Sequence, residues 1–206
     1  MKFKSLNSTH IIKIHNILVD VYKISNGYAD KGKLDALLYK IDFLHDDDIL
    51  KRSSILLEGL IRLHAFTDGN KRTALESVKT YLNLNDYYLI FPLSTVAFSY
   101  KIANTQKIDP KSNEDLINEI TWWLKKFCVS KDDKNKINAL FLLYYTIPTK
   151  LIHFFIKIKL PKIGNFILKK YIQMNVKDMN KNMIDFILNL LIDQLTSFEK
   201  KMSDKD

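Results

Sequence analysis

Leu63-His64-Ala65-Phe66-Thr67-Asp68-Gly69-Asn70-Lys71-Arg72-Thr73-Ala74 is the stretch from which the rest of the chain is read. Between His64 and Arg72 it gathers one base, one carboxylate, one amide and two fixed cations. Upstream, Ile49, Leu50, Leu56, Leu57, Leu60, Ile61 and Leu63 recur at the three- and four-residue spacing of an amphipathic helix. Asp46, Asp47 and Asp48 offer its N-cap and a charge that suits the helix dipole. Downstream, Ala74, Leu75, Val78, Tyr81, Leu82 and Leu84 set out a second helical pattern that begins near Asn70. Asp68-Gly69 marks the break, because glycine accepts backbone angles that other residues avoid. The expected unit is helix, loop, helix.

In that arrangement the second helix aims its free N–H groups and positive dipole end into the loop, which makes an anion site. Lys71 and Arg72 add fixed charge at the same end, where cations oppose the dipole unless an anion sits there. A local rule is broken at this point, as functional sites often break one. The side chains suggest roles. Histidine titrates close to neutral pH, so His64 is a candidate general base. Asp68 is a hard oxygen ligand suited to Mg²⁺, which takes one or two carboxylates together with substrate phosphates. Asn70 offers its amide to a phosphate oxygen, Lys71 a point charge, and Arg72 a planar fork for bidentate contact. Phe66 reads as the apolar peg that anchors the loop.

These residues resemble the core motif of the Fic/Doc (Fido) superfamily, H-x-F-x-[D/E]-[G/A/N]-N-[G/K]-R. The match falls on His64, Phe66, Asp68, Gly69, Asn70, Lys71 and Arg72. Lys71 followed by Thr73-Ala74 resembles the Doc (death-on-curing) branch; AMP-transferring Fic proteins usually carry glycine at that place and a further arginine where this chain has Leu75. Ala65 replaces the proline common after the histidine. The likeness extends to Leu56–Ile61 before the loop and Leu82–Asn85 after it, and covers roughly residues 8–128.

The resemblance implies an all-α fold and nucleotide-dependent transfer onto a protein hydroxyl, with ATP and Mg²⁺ as cofactors. It makes His64 the base, Asp68 the metal ligand, and Gly69, Asn70, Lys71 and Arg72 the phosphate-binding set. Doc proteins are toxins of toxin–antitoxin pairs that phosphorylate a threonine of translation factor Tu, so an antitoxin and a protein substrate are the implied partners. A lysine at position 71 fills space that glycine leaves for the α- and β-phosphates. Nucleotide then enters in the opposite sense, with the γ-phosphate at the attacking hydroxyl, which favours kinase over AMP transferase. The alternatives are AMP transfer by the same loop, or a module that binds nucleotide or protein without chemistry. Ser54-Ile55-Leu56-Leu57-Glu58-Gly59 matches the pattern of a self-inhibitory Fic helix, but it lies on the helix running into His64 and reads as coincidence.

Composition suits a helical protein. The chain has 206 residues, 47% of them apolar, with only five glycines and four prolines, which disfavours a turn-rich β fold. The one cysteine, Cys128, precludes an internal disulfide and reads as a helix-packing residue in a reducing compartment. Met1-Lys2-Phe3-Lys4-Ser5 lacks the apolar run of a signal peptide, and no apolar run approaches the ~20 residues that cross a bilayer. A cytoplasmic location is expected. The net charge of +9 is scattered lysine without a basic arm or base-stacking motif, so an acidic protein partner is expected rather than nucleic acid.

Along the chain, Ser8 or Thr9 should cap a first helix through Ile24, with Ile11, Ile14, Ile17, Leu18, Val21 and Tyr22 inward. Residues 25–32 read as a loop, either a flap for target docking or a plain connection. A short helix near Lys33–Leu44 follows, then the motif pair, then Tyr87–Phe91 as a short strand or extended turn. Helices are expected near Ser94–Thr105 and Ser112–Phe127. Lys131–Lys136 reads as a polar linker, and residues 137–200 as further helices broken near Pro148, Pro161 and Gly164. The division is thus a Fic/Doc-like helical bundle over 1–128 and a helical extension over 129–206. From Val129 to Asp206 there are 14 Lys, no Arg and 8 acidic residues, a net +6. This extension can complete the core or a dimer interface, cover the active groove, or bind a partner or membrane. Lys150, Lys157, Lys159 and Lys162 beside Leu151, Phe154, Phe155, Ile156 and Ile158 would suit the last. The oligomeric state stays open.

Overall fold

The computed structural model describes residues 3–25, 27–44, 48–106, 110–157 and 161–175. The fold is all-α, with one two-stranded sheet and one isolated antiparallel bridge among the described residues. Two compact units form, one from residues 1–90 with 102–137, the other from 91–101 with 138–206.

In the first unit, α1 (Ser8–Tyr22) starts one residue earlier than expected, because Asn7 rather than Ser8 or Thr9 is the N-cap. Asn7 Oδ1 accepts from the His10 N–H at 2.9 Å, and His10 Nδ1 accepts from the Asn7 N–H at 3.3 Å, a reciprocal cap. The inward face also differs. Ser8, Ile11, His15 and Leu18 are buried, whereas Ile17, Val21 and Tyr22 are more than half exposed. α1 carries apolar residues on two sides, and its packing on the helix after the motif selects the one that holds His15.

Capping aspartates set the next two helices. Asp30 accepts from the Lys33 N–H at 3.0 Å and starts α2 (Lys31–Asp42), two residues before the expected place. Asp48 accepts from the Leu50 N–H at 2.8 Å and starts α3 (Ile49–Arg62), while Asp46 and Asp47 lie outside the described residues. α3 buries Leu56, Leu57, Leu60 and Ile61 in the expected phase, each worth roughly 1.5–3 kcal/mol of apolar transfer. Its principal neighbours are α4 (Asn70–Leu84) and α6 (Pro110–Phe127). Two arginines of α3 bind helix ends. The Arg52 guanidinium donates to the Ile41 and Leu44 carbonyls at the end of α2, and Arg62 donates to the Ile102 carbonyl at 3.1 Å and that of Thr105 at 2.5 Å. These cations answer the orphan carbonyls and the negative dipole ends of other helices.

β1 (Tyr87–Leu89) follows α4, and β2 (Cys128–Ser130) follows α6. They pair antiparallel with Tyr88 opposite Val129 and Leu89 opposite Cys128. Cys128 is therefore a strand residue and not a helix-packing one, although it is buried as expected. Burial pushes its thiol up to about 12, far from a thiolate nucleophile at neutral pH. The unit continues past β2 to Ile137, and Lys134 already begins α7 (Lys134–Phe141), so the polar stretch 131–136 is a turn running into a helix.

α5 (Thr95–Asn104) passes from the second unit into the first. In the second unit a π-turn over Leu142–Thr146 leads into α8 (Ile147–Lys157), and α9 (Pro161–Asn175) packs on α8. Pro148 does not break the chain as expected. Lacking an N–H, it cannot bond the Tyr144 carbonyl one turn back, and the Tyr171 hydroxyl donates to that oxygen instead, at 2.6 Å. Pro161 opens α9, whereas Gly164 lies inside it. Leu151 and Phe154 are exposed. Lys159 and Ile158 of the proposed interfacial set, and all of residues 176–200, lie outside the described residues. Among the described residues no helix is long and apolar enough to cross a membrane.

The core of the first unit is anchored by Trp123 and Phe127, both fully buried with ring centroids 5.1 Å apart. Trp123→Ala should cost about 3–5 kcal/mol through lost burial and the cavity left behind. A urea midpoint unchanged from wild type would show that this part of α6 does not carry the core.

Candidate functional site

The loop between α3 and α4 is built by local backbone rules. Leu63 closes α3 with its N–H on the Gly59 carbonyl at 2.8 Å, and His64 follows in the left-handed region with φ 48°. That is the position where helices most often end on glycine. A side chain there costs about 1–2 kcal/mol, and histidine is among the residues that tolerate it best. The result is an exposed histidine at the start of the loop. Ala65 and Phe66 then run beside residues 29–30. The Asp30 N–H donates to the Ala65 carbonyl at 2.8 Å, and Phe66 forms an antiparallel bridge with Ala29. Within the 25–32 segment, read above as either a flap or a connection, Ala29 and Asp30 are thus tied to the motif by backbone pairing.

Phe66 is buried, as its peg role requires. Asn70 holds it from the other side: Nδ2 donates to the Phe66 carbonyl at 2.7 Å, and Oδ1 accepts from the Phe66 N–H at 3.0 Å. The Asn70 amide is therefore a clamp on the loop backbone, with one N–H remaining for a ligand. Asp68 is exposed, and its Oδ1 accepts from the Gly69 N–H at 2.5 Å. Gly69 is the N-cap of α4 at φ 76° and gives no side-chain cap. The positive φ calls for glycine, and a β-carbon there would also stand 2.4 Å from Ile24 Cδ1 and make that side chain shift.

The first turn of α4 has no acidic residue and carries Lys71 and Arg72. Arg72 is exposed, its guanidinium 4.9 Å above the ring of Tyr22 at the end of α1. An exposed contact of this kind contributes about 0.5–1 kcal/mol. It offsets part of the cost of a cation at a helix N-terminus and leaves the guanidinium at the surface. Among the described residues no three His, Cys, Asp or Glu side chains gather as a metal cluster. Asp68 suits a Mg²⁺ ion whose remaining ligands are water and substrate phosphate, which is how that ion is commonly bound. Glu58 of the self-inhibition-like pattern faces Arg62 at 3.4 Å on its own helix. Ser54, in the same pattern, bonds Thr121 of α6 at 2.8 Å.

Sequence reading missed His15. It is 1% exposed, its ring stacks on Phe66 with centroids 4.0 Å apart and planes 15° from parallel, and its Nδ1 lies 3.1 Å from Thr73 Oγ1. The signal was present: His15 falls four residues after Ile11 and three before Leu18, on the buried stripe. Tyr22 was placed inward, whereas it lies exposed under Arg72.

An exposed base, an exposed carboxylate and an uncapped cationic helix N-terminus on one short loop make a candidate site for a phosphorylated ligand. Residues 5–82, which contain all of it, match the Fic/DOC family, and the resemblance drawn from the motif is borne out over that stretch. The chain is also similar to the protein kinase doc of Escherichia phage P1, at 27% identity over 86 residues, which are 40% of this chain and 68% of that protein. Together these likenesses support a Fic/Doc-type protein.

Burial holds the His15 imidazole below its usual range, opposed in part by the Asp68 carboxylate. The fold therefore favours the neutral ring over the protonated one. The stability that this preference contributes is complete above the unfolded value of about 6.5 and is lost as pH falls through the lower folded value. Urea midpoints should drop more steeply from pH 7 to pH 5 in wild type than in His15→Gln. Equal slopes would remove His15 from the pH dependence.

Proposed function

We propose that this chain is a Doc-like transferase that uses ATP and Mg²⁺ to phosphorylate a serine or threonine hydroxyl of a protein, and that it acts as a toxin restrained by an antitoxin. The observation that carries the reading is the loop itself, which places an exposed His64 six residues before an uncapped α4 N-terminus bearing Lys71 and Arg72. The match to the Fic/DOC family and the likeness to a protein kinase of the same name support it. A translation factor as target, and residues 1–128 and 129–206 as catalytic domain and extension, belong to the same proposal.

His64 accepts the proton of the attacking hydroxyl. The hydroxyl oxygen bonds to the γ-phosphorus as the bond to the bridging oxygen breaks, and ADP leaves. Lys71 and Arg72 hold phosphate oxygens through the α4 N–H groups and two side-chain cations, joined by the remaining N–H of Asn70, while Gly69 makes the turn and keeps its N–H on Asp68. Phe66 keeps the loop seated. Asp68 would hold Mg²⁺, which when bound neutralises phosphate charge. A general base typically contributes about 10²–10⁴-fold, so His64→Ala should reduce transfer by at least about a hundredfold.

The test is label transfer from ATP to proteins of a cell lysate, with label at the α- or the γ-phosphate and His64→Ala as control. Label from γ alone, lost in the variant, is expected. Label from α would mean AMP transfer, and none from either would leave a binding module. Lys71→Gly is expected to lower γ-transfer at least tenfold and admit some α-transfer. Unchanged label preference would mean that residue 71 does not set nucleotide orientation.

A further inference from the structure

His15 belongs to no motif, yet it meets the loop at three places. Its ring lies face to face with Phe66 at 4.0 Å. Its Nδ1 is 3.1 Å from the hydroxyl of Thr73, in the first turn of α4. A β-carbon on Gly69 would stand 3.4 Å from its Cε1. Phe66 enters the turn, Gly69 closes it, and Thr73 lies in the first turn of the helix that follows. One buried imidazole is the common floor beneath all three.

Packing alone does not call for histidine here. Leucine or phenylalanine would fill the space without a buried polar atom, whereas His15 Nε2 is buried with no hydrogen-bond partner. What the imidazole adds is the bond to Thr73. The Thr73 N–H is already held by the Gly69 carbonyl at 2.9 Å, so this residue links the floor to the turn through side chain and backbone together.

We propose that His15 is a positioning residue: through its bond to Thr73 and its stack on Phe66 it sets where the 66–73 backbone, and with it Asp68 and the α4 N–H groups, stands relative to a phosphorylated ligand. His15 touches no ligand itself and acts through the loop. The identity of the ligand rests on the transferase reading; the effect on the loop does not.

The test uses the full chain with His15→Phe, which keeps ring and stack, and Thr73→Val, which keeps shape, alone and combined. The first readout is exchange of the bonded Phe66 and Thr73 amides without nucleotide. Either single variant should speed it about tenfold with α6 amides unchanged, and the double should be no faster, since both remove one bond. Thr73→Ser, which keeps the hydroxyl, should behave as wild type. The second readout is ATP–Mg²⁺ binding by calorimetry, where the dissociation constant should rise about tenfold. Variants that melt earlier yet keep wild-type loop exchange and ATP affinity would reduce His15 to a packing residue and overturn the proposal. Should His15→Phe fail to fold, Thr73→Val and Thr73→Ser carry the comparison. If the wild type itself neither binds ATP nor transfers label, the transferase reading falls and loop exchange alone decides the role of His15.

Discussion

The side-chain amide of Asn70 bridges both backbone groups of Phe66, and the candidate site depends on that closure. Without it, the turn at Asp68-Gly69 would have little to hold its entry against its exit. With it, Phe66 and the first residue of α4 are held together across the turn. His64 and Asp68 are exposed because the residues between them are pinned. The same closure explains the buried Phe66, whose backbone is bonded on one side to Asn70 and bridged on the other to Ala29.

Around this closure the electrostatics are arranged by omission as much as by placement. α4 has no side-chain cap and no acidic residue in its first turn, and the one carboxylate at that end, Asp68, bonds the N–H of the N-cap Gly69 rather than those of the helix. Lys71 and Arg72 deepen the positive field. Tyr22 relieves Arg72 with a ring face, which holds the guanidinium without neutralising it. The other arginines near the core do the reverse work. Arg52 and Arg62 lie on α3 and bond carbonyls at the ends of α2 and α5, where a cation suits the dipole. One residue type thus stabilises helix ends at two places and primes an anion site at a third.

The motif was legible because its chemistry is local. Gly69 at positive φ and the Asn70 start of α4 both follow from neighbours within a few residues. The phase of α1 was not legible in the same way. Ile14, Ile17, Val21 and Tyr22 offered one apolar face and Ile11, His15 and Leu18 another, and helical periodicity scores both. Only packing against α4 chose between them. Pro148 was misjudged for a related reason: the carbonyl it strands is satisfied by Tyr171, more than twenty residues away. No local rule contains that partner.

The sequence by itself determined the all-α class, the helix–loop–helix, the identity of the loop side chains and the family they resemble. Each rests on residue type and short spacing, which are properties of the chain before it folds. Tertiary structure alone decided that Arg72 rests on Tyr22 and that a buried histidine from α1 underlies the site. The physical reason is the same in each case. A polar side chain is assigned by whichever partner reaches it once apolar faces have been buried, and that burial is settled between helices rather than within them.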